Sequence, residues 1–261
     1  MRRKRKFSAE TPDVCTSWSN EAGRSAAFRR SQVTALVGRR RDDVSEVGGS
    51  APFSAGAVAS DAVDVFDAMD TAVSMRWLKP DPVPDDMIDK LMWAATRASN
   101  PGNSQPWDFV VVRDEATRRD VAKLITDRLE GVRRFTAPLP DDPTQRRIFQ
   151  GVGHLVEHLA DAPVLIFVCG NNVYPPDAPR DYLMYSAVYG AAQNLMVAAR
   201  ALGLGAAYTT FQFTSEAEIK ARLGIPEATR ICVTLPIGWP DRPFGRLTRK
   251  PLDEVVHYDH W

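Results

Sequence analysis

Ala98-Ser99-Asn100-Pro101-Gly102-Asn103-Ser104-Gln105-Pro106-Trp107, running directly into Asp108-Phe109-Val110-Val111-Val112, decides how this chain is read. A helical pattern stops at Ala98. A Pro/Gly/Asn cluster then forces a turn, because glycine and asparagine tolerate left-handed backbone and proline fixes its own φ. A β-branched strand begins at once. Such a turn sets backbone N–H, C=O and side-chain amide groups close together at the root of a rigid strand. That grouping suits recognition of a flat heteroaromatic with several ring heteroatoms.

On the N-terminal side of this stretch, the spacing predicts a helix over residues 61–75 with Val63, Phe66, Met69, Ala72 and Val73 on its inner face. A proline-punctuated link follows. Pro84-Asp85-Asp86 opens a second helix, acidic in its first turn where the helix dipole favours anions, with Ile88, Leu91, Met92 and Ala95 inward. On the C-terminal side, residues 108–113 form a strand and 115–129 a helix. Residues 131–143 are a Pro- and Arg-rich connection, and 144–159 a further helix. Residues 163–169 are apolar throughout and predict a central strand.

After a loop over 171–179, residues 181–202 form a long helix carrying Tyr185, Ala192, Leu195, Met196 and Ala199 inward, ended by Gly203-Leu204-Gly205. Strands at 206–210 and 230–237 flank a short helix at 215–223. The segment from Gly238 to Trp261 has little pattern of its own. The long helix is small and apolar on nearly all sides, so it needs partners on all sides, which favours an oligomer.

Composition excludes several classes. Lys+Arg and Asp+Glu both number 33, so no global field attracts nucleic acid or an acidic membrane. The balance is uneven: residues 1–60 hold 11 Lys/Arg against 6 Asp/Glu, and the remainder holds 22 against 27. Residues 1–60 are rich in Ser, Arg, Gly and Ala without periodicity and read as a disordered basic leader. The folded domain is expected over 61–261. The opening Met1-Arg2-Arg3-Lys4-Arg5-Lys6 leads into polar residues, not the apolar stretch of a secretory signal, and no run is long enough to span a membrane. Cys15, Cys169 and Cys232 are widely spaced and form no CxxC pair, which fits a reducing cytoplasm.

Four segments in order resemble the nitroreductase-like flavoproteins. The turn resembles that family's helix-to-strand stretch, with Asn103, Gln105, Pro106 and Trp107 matching and Ser99 and Asn100 standing where the family has Pro and Ser. Ser74-Met75-Arg76, followed by the proline-rich link, resembles the family's opening R-R-S-x-R. Gly190-Ala191-Ala192-Gln193-Asn194-Leu195 through Gly205 resembles its long central helix. Leu223-Gly224-Ile225-Pro226, then Pro236-Ile237-Gly238-Trp239-Pro240, then Arg249-Lys250-Pro251-Leu252-Asp253-Glu254-Val255-Val256 resembles its closing pattern. The likeness covers about residues 65–261.

The resemblance implies an α+β fold, a central mainly antiparallel sheet flanked by helices, working as a homodimer with FMN at the interface; the balanced charge adds the expectation of no nucleic-acid or membrane partner. It implies electron transfer in two steps, from NADH or NADPH to FMN and from FMN to a nitroaromatic, quinone or similar small acceptor, with no obligatory catalytic side chain. By resemblance, Arg76 and Arg249 meet the phosphate, where a guanidinium fork suits a dianion, and Ser74 is a further cofactor-binding residue. The ring is bordered by Asn100, Pro101, Gly102, Asn103 and Gln105, and by the backbone around Tyr208, Thr209 and Thr210. Ala72 and Val73 replace two arginines common in the family, and Thr210 an acidic residue, so a deazaflavin stays open beside FMN.

Other readings compete. Arg76 and Arg249 taken singly read as solvated side chains, Trp107 as core, and Asn100 and Asn103 as turn formers. His154-Leu155-Val156-Glu157-His158 has the H-x-x-E-H spacing of inverted zinc proteases, which makes a zinc hydrolase an alternative. A flavin binder without redox turnover is another. Gly203-x-Gly205 follows a helix instead of opening one and is a terminator, not a dinucleotide fingerprint.

Overall fold

A computed structural model describes residues 63–128 and 139–261. The expected leader over 1–60, and most of the connection between helices at 131–143, lie outside the described residues. Six α-helices are described: α1 (Val65–Thr71), α2 (Asp85–Ala95), α3 (Glu115–Arg128), α4 (Pro143–Glu157), α5 (Asp181–Ala201) and α6 (Glu216–Leu223). Five strands accompany them: β1 (Leu78–Lys79), β2 (Trp107–Val112), β3 (Val164–Gly170), β4 (Gly205–Ala206) and β5 (Arg230–Pro240). The sheet runs β1-β5-β3-β2, with β4 also on β5. All four strand pairings are antiparallel.

β3 is buried at every residue. Val164, Ile166 and Val168 join the core that α2 and α5 close, while Leu165, Phe167 and Cys169 join the core closed by α3, α4 and α6. The unbroken apolar run therefore marks a strand covered on both faces. It is compatible with an antiparallel sheet because helices wall both sides. Between Val168 and Cys169 the β3–β5 register shifts, and Cys232 is the extra residue of the resulting bulge. Both described thiols are buried, and burial raises each to about 12.

Helix α5 ends as its glycine dictates. Gly203 sits at φ +76°, its amide bonds Arg200 O at 3.1 Å, and the Leu204 amide bonds Ala199 O at 2.8 Å, a full Schellman closure. Buried Ala187, Ala191, Ala192 and Ala199 let α2 pack closely on α5, where Asn194 Nδ2 donates to Ala94 O at 3.3 Å.

Three expectations need correction. The first helix is only seven residues long, capped by Asp64, and within it only Ala68 is buried; of the expected stripe, Ala72 just past its end is buried too. Phe66 and Met69 are exposed. Spacing showed one apolar face but not which side of so short a helix would meet α5. The strand expected at 206–210 is two residues, with an isolated bridge from Thr209 to Thr234. β5 continues to Pro240, because Gly238 and Ile237 pair with β4 and Trp239 and Pro240 with β1. Prolines at 236 and 240 disguised that strand in the sequence. Among the described residues, no helix is long and apolar enough to cross a membrane.

Candidate functional site

The segment carrying Ser74 and Arg76 lies along β4. Ser74 bridges Ala206, and the Met75 amide bonds Ala206 O at 2.8 Å. Gly205 permits this approach: a Cβ there would stand 2.6 Å from Met75 Cγ. On the other side, α4 presses against the same segment through Gly151, whose absent Cβ would be 3.0 Å from both Arg76 Cδ and the Trp77 ring.

Beside Arg76 opens a cavity of about 330 Å³. Its lining includes Ser74 and four arginines: Arg76, Arg147 from α4, and Arg242 and Arg246 from the segment after β5. Arg76 is half-buried, and burial pulls its pKa down. Among the described residues its guanidinium has neither a carboxylate nor a hydrogen-bond partner. Burying an unpaired cation is costly, so this group calls for an anion.

Arg242 lies 3.6 Å over the Trp77 ring, and His154 stacks on Trp77 at 5.1 Å. Burial, then His158 and Arg242, lower the His154 pKa, against weaker opposition from Glu157 and Asp241. Arg246 pairs with Asp70 at 2.5 Å, and the Leu247 amide bonds Asp70 O at 2.8 Å, which anchors this segment on α1. Arg200 completes the anchor, donating to Thr71 Oγ1 at 2.8 Å and standing 4.2 Å over Phe244.

Arg249 is not brought into this cavity. It is exposed and donates to the carbonyl of Thr248 at 2.9 Å. Within one chain Arg249 thus stands apart, and Arg76 is grouped with Arg147, Arg242 and Arg246. The last two were readable only as charges in Asp241-Arg242-Pro243-Phe244-Gly245-Arg246, and Arg147 as part of a polar helix face.

The turn forms a second region. Pro101–Asn103 is a 3₁₀ turn, and Gly102, Asn103 and Gln105 have φ of +59°, +50° and +44°. Left-handed glutamine is uncommon, and such backbone persists only where its surroundings fix it. Asn100 Oδ1 supplies part of that fixing by accepting the Gln105 amide at 2.8 Å. Asn100 therefore acts inside the turn. Gly102 is held under Tyr174, whose ring a Cβ would reach at 2.4 Å. Asn103 and Gln105 are exposed, with no side-chain hydrogen bond among the described residues. Ser104 Oγ is buried without a partner.

The third expected group divides. Thr209 is buried, and its amide and hydroxyl both donate to Thr234 O, at 3.1 and 2.8 Å. Its carbonyl accepts from the Thr234 amide at 3.0 Å, so Thr209 is engaged by β5 on every polar group. Thr210 is exposed, with its carbonyl accepting from the Phe213 amide. Tyr208 is half-buried edge-on to Tyr189, and burial raises its pKa.

The cavity and the turn lie at different heights along α5. Arg200 is bonded beside the cavity, whereas Gly190 faces Ala98 at the start of the turn, a rise of about 15 Å between positions 190 and 200. An unpaired guanidinium, an orphaned hydroxyl and free amide groups form a donor set that fits an anionic, heteroatom-rich cofactor of the kind the resemblance implies. The zinc reading finds no such support. Among the described residues no three His, Cys, Asp or Glu side chains gather, and His158 Nδ1 instead meets Asp161 at 2.9 Å.

An antiparallel sheet walled by helices, with the Ser74 segment along one edge, is the nitroreductase-like fold. A structure of oxidized iodotyrosine deiodinase bound to FMN and 3-iodo-L-tyrosine superposes with a TM-score of 0.61 at 21% identity, covering 76% of this chain and all of that one. The NADPH:FMN oxidoreductase of Vibrio harveyi, complexed with NAD⁺, superposes with a TM-score of 0.57 at 19% identity, covering 76% of this chain and 77% of that one.

The nitroreductase family model matches residues 71–239, and the chain belongs to that family. Relatives include iodotyrosine deiodinase 1 of Rattus norvegicus, 26% identical over 200 residues, spanning 74% of this chain and 68% of the relative. A candidate NADH dehydrogenase/NAD(P)H nitroreductase of Methanothermobacter thermautotrophicus is 28% identical over 202 residues, spanning 76% and 88%.

Proposed function

We propose that this protein is an FMN-dependent oxidoreductase that passes electrons from NAD(P)H to a small aromatic acceptor, a nitroaromatic or quinone. The observation that carries the reading is the unpaired, half-buried guanidinium of Arg76 in a cavity shared with three further arginines. Arg76 and Ser74 would hold the phosphate of the flavin. Asn103, Gln105 and the main chain of the turn would border its ring. The flavin supplies the hydride chemistry when bound, and the chain's residues bind and orient it.

The working unit is a homodimer. Within one chain the cavity and the turn are well separated along α5. Phe66 and Met69 on α1, and Leu252, Tyr258 and Trp261 in the tail, are left exposed. A second copy supplies the turn to the cavity of the first and covers apolar surface that water otherwise meets.

Purified protein should take up FMN with its characteristic visible absorbance, bleach anaerobically with a reduced nicotinamide nucleotide, and recover colour when an acceptor is added. Protein that stays colourless in excess FMN overturns the reading. Protein that binds flavin but is never bleached is a binder without turnover. A second reading, with a halogenated phenol as acceptor and halide as product, is favoured by the deiodinase relatives. Halide release under the same conditions separates it.

A further inference from the structure

We propose that Arg147 and Arg242, at the rim of the arginine cavity, take a second phosphate group, the 2′-phosphate on the adenosine ribose of NADPH, and so select NADPH over NADH. The inference rests on the flavin reading above.

Charge is the first argument. Of the four guanidiniums lining the cavity, only that of Arg246 has a bonded carboxylate among the described residues, Asp70. Arg76, Arg147 and Arg242 are left uncompensated. A phosphomonoester carries roughly −1.5 to −2 at pH 7, so the flavin phosphate alone leaves about one positive charge over. Asp241 is exposed and makes no ion pair among the described residues; its field falls on His154.

Depth is the second argument. Arg76 is half-buried, whereas Arg147 and Arg242 are exposed, so the inner guanidinium and the outer pair address separate anions. The cavity, about 330 Å³ and lined by four arginines, matches the charged ends of phosphate-bearing ligands in character.

Preorganisation is the third. Arg242 is fixed 3.6 Å over Trp77, and Arg147 rides on α4, which Gly151 seats against the Arg76 and Trp77 side chains. One fork held over Trp77 and a second on the neighbouring helix match a dianionic monoester better than the singly charged groups of a pyrophosphate.

Calorimetric titration of the protein with adenosine 2′,5′-bisphosphate, 5′-AMP and inorganic phosphate tests this directly. The bisphosphate is expected to bind at least tenfold more tightly than either other probe, with affinity falling as salt rises. The exposed double substitution Arg147→Ala with Arg242→Ala should remove that preference while lowering the melting temperature by no more than about 4 °C, the cost of one exposed cation–π contact. In FMN-loaded protein it should lower the NADPH-to-NADH ratio of kcat/KM at least tenfold. Equal binding of the bisphosphate and 5′-AMP, inorganic phosphate binding as tightly as the bisphosphate, or an unchanged donor ratio overturns the inference. Failure to take up FMN overturns the functional reading instead, and the calorimetry then decides this inference alone.

Discussion

The arginine cavity and the asparagine turn are built on opposite principles. The turn's main chain satisfies itself. Asn100 accepts the Gln105 amide, the Ser104 amide bonds Pro101 O at 3.1 Å, and the Asn171 amide bonds Pro106 O at 2.8 Å. Its strain is held internally, and it presents groups without needing a ligand to keep its shape. The cavity is unsatisfied by design. Its cations come from three separated segments, and only Arg246 finds a carboxylate. A preshaped surface that reads a ring and a charged socket completed by an anion are different devices, and each fails differently when altered.

The largest effect should come from Arg76→Ala. Removing a charge-assisted contact of roughly 1.5–3 kcal/mol should weaken FMN binding about 10- to 100-fold in a fluorescence titration. The melting temperature of the flavin-free protein should hold or rise, because an uncompensated half-buried cation is gone. A fall in both would make Arg76 a structural residue and erase the contrast.

Gly102→Ala should act the other way. The added methyl meets the Tyr174 ring and forces alanine to φ +59°, at about 1–3 kcal/mol, seen as a lower melting temperature before any loss of flavin. Asn100→Ala removes the Gln105 bond and a long one from Nδ2 to Ala98 O, and should cost about 1 kcal/mol in the same assay.

Arg249→Ala sharpens the cavity side. It should change FMN affinity less than Arg76→Ala does, and an equal loss would mean that Arg249 reaches the phosphate in the assembled protein. The smallest effect concerns pH. His154 has a folded pKa below its usual value near 6.5, so the unfolded chain binds the proton more readily. Stability from this group is complete above about pH 6.5 and is lost as pH falls from there through the folded value. Thermal melts of His154→Phe should flatten that acid-side decline slightly, the group being only partly buried.

Legibility followed the same divide. The turn was readable because much of its information is local: Asn-Pro-Gly-Asn favours a tight turn with left-handed backbone, which Asn100 and Tyr174 then hold. β3 was readable for a similar reason, since seven consecutive apolar residues have no other use in a chain of this composition. The socket was only partly readable. Arg76 stood out beside Ser74, but Arg147 lies on an ordinary polar helix face, and α4 acquires its place only when Gly151 meets Trp77. Thr209 shows the converse. It stands beside β4 as expected of its position in the chain, but its polar groups belong to β5, because a two-residue β4 needs that support to hold its edge. The leader and the domain boundary fall outside the described residues.

The absence of one carbon at position 205 has a consequence of its own. No ligand need ever touch that residue, yet the gap it leaves sets how near Met75 stands to the sheet and therefore where the neighbouring guanidinium points. A methyl group there would act like a shim under a lens mount, leaving every optical element intact and the focus lost. A search for substitutions that bleach the protein without unfolding it should find Gly205 beside the residues that face the cofactor.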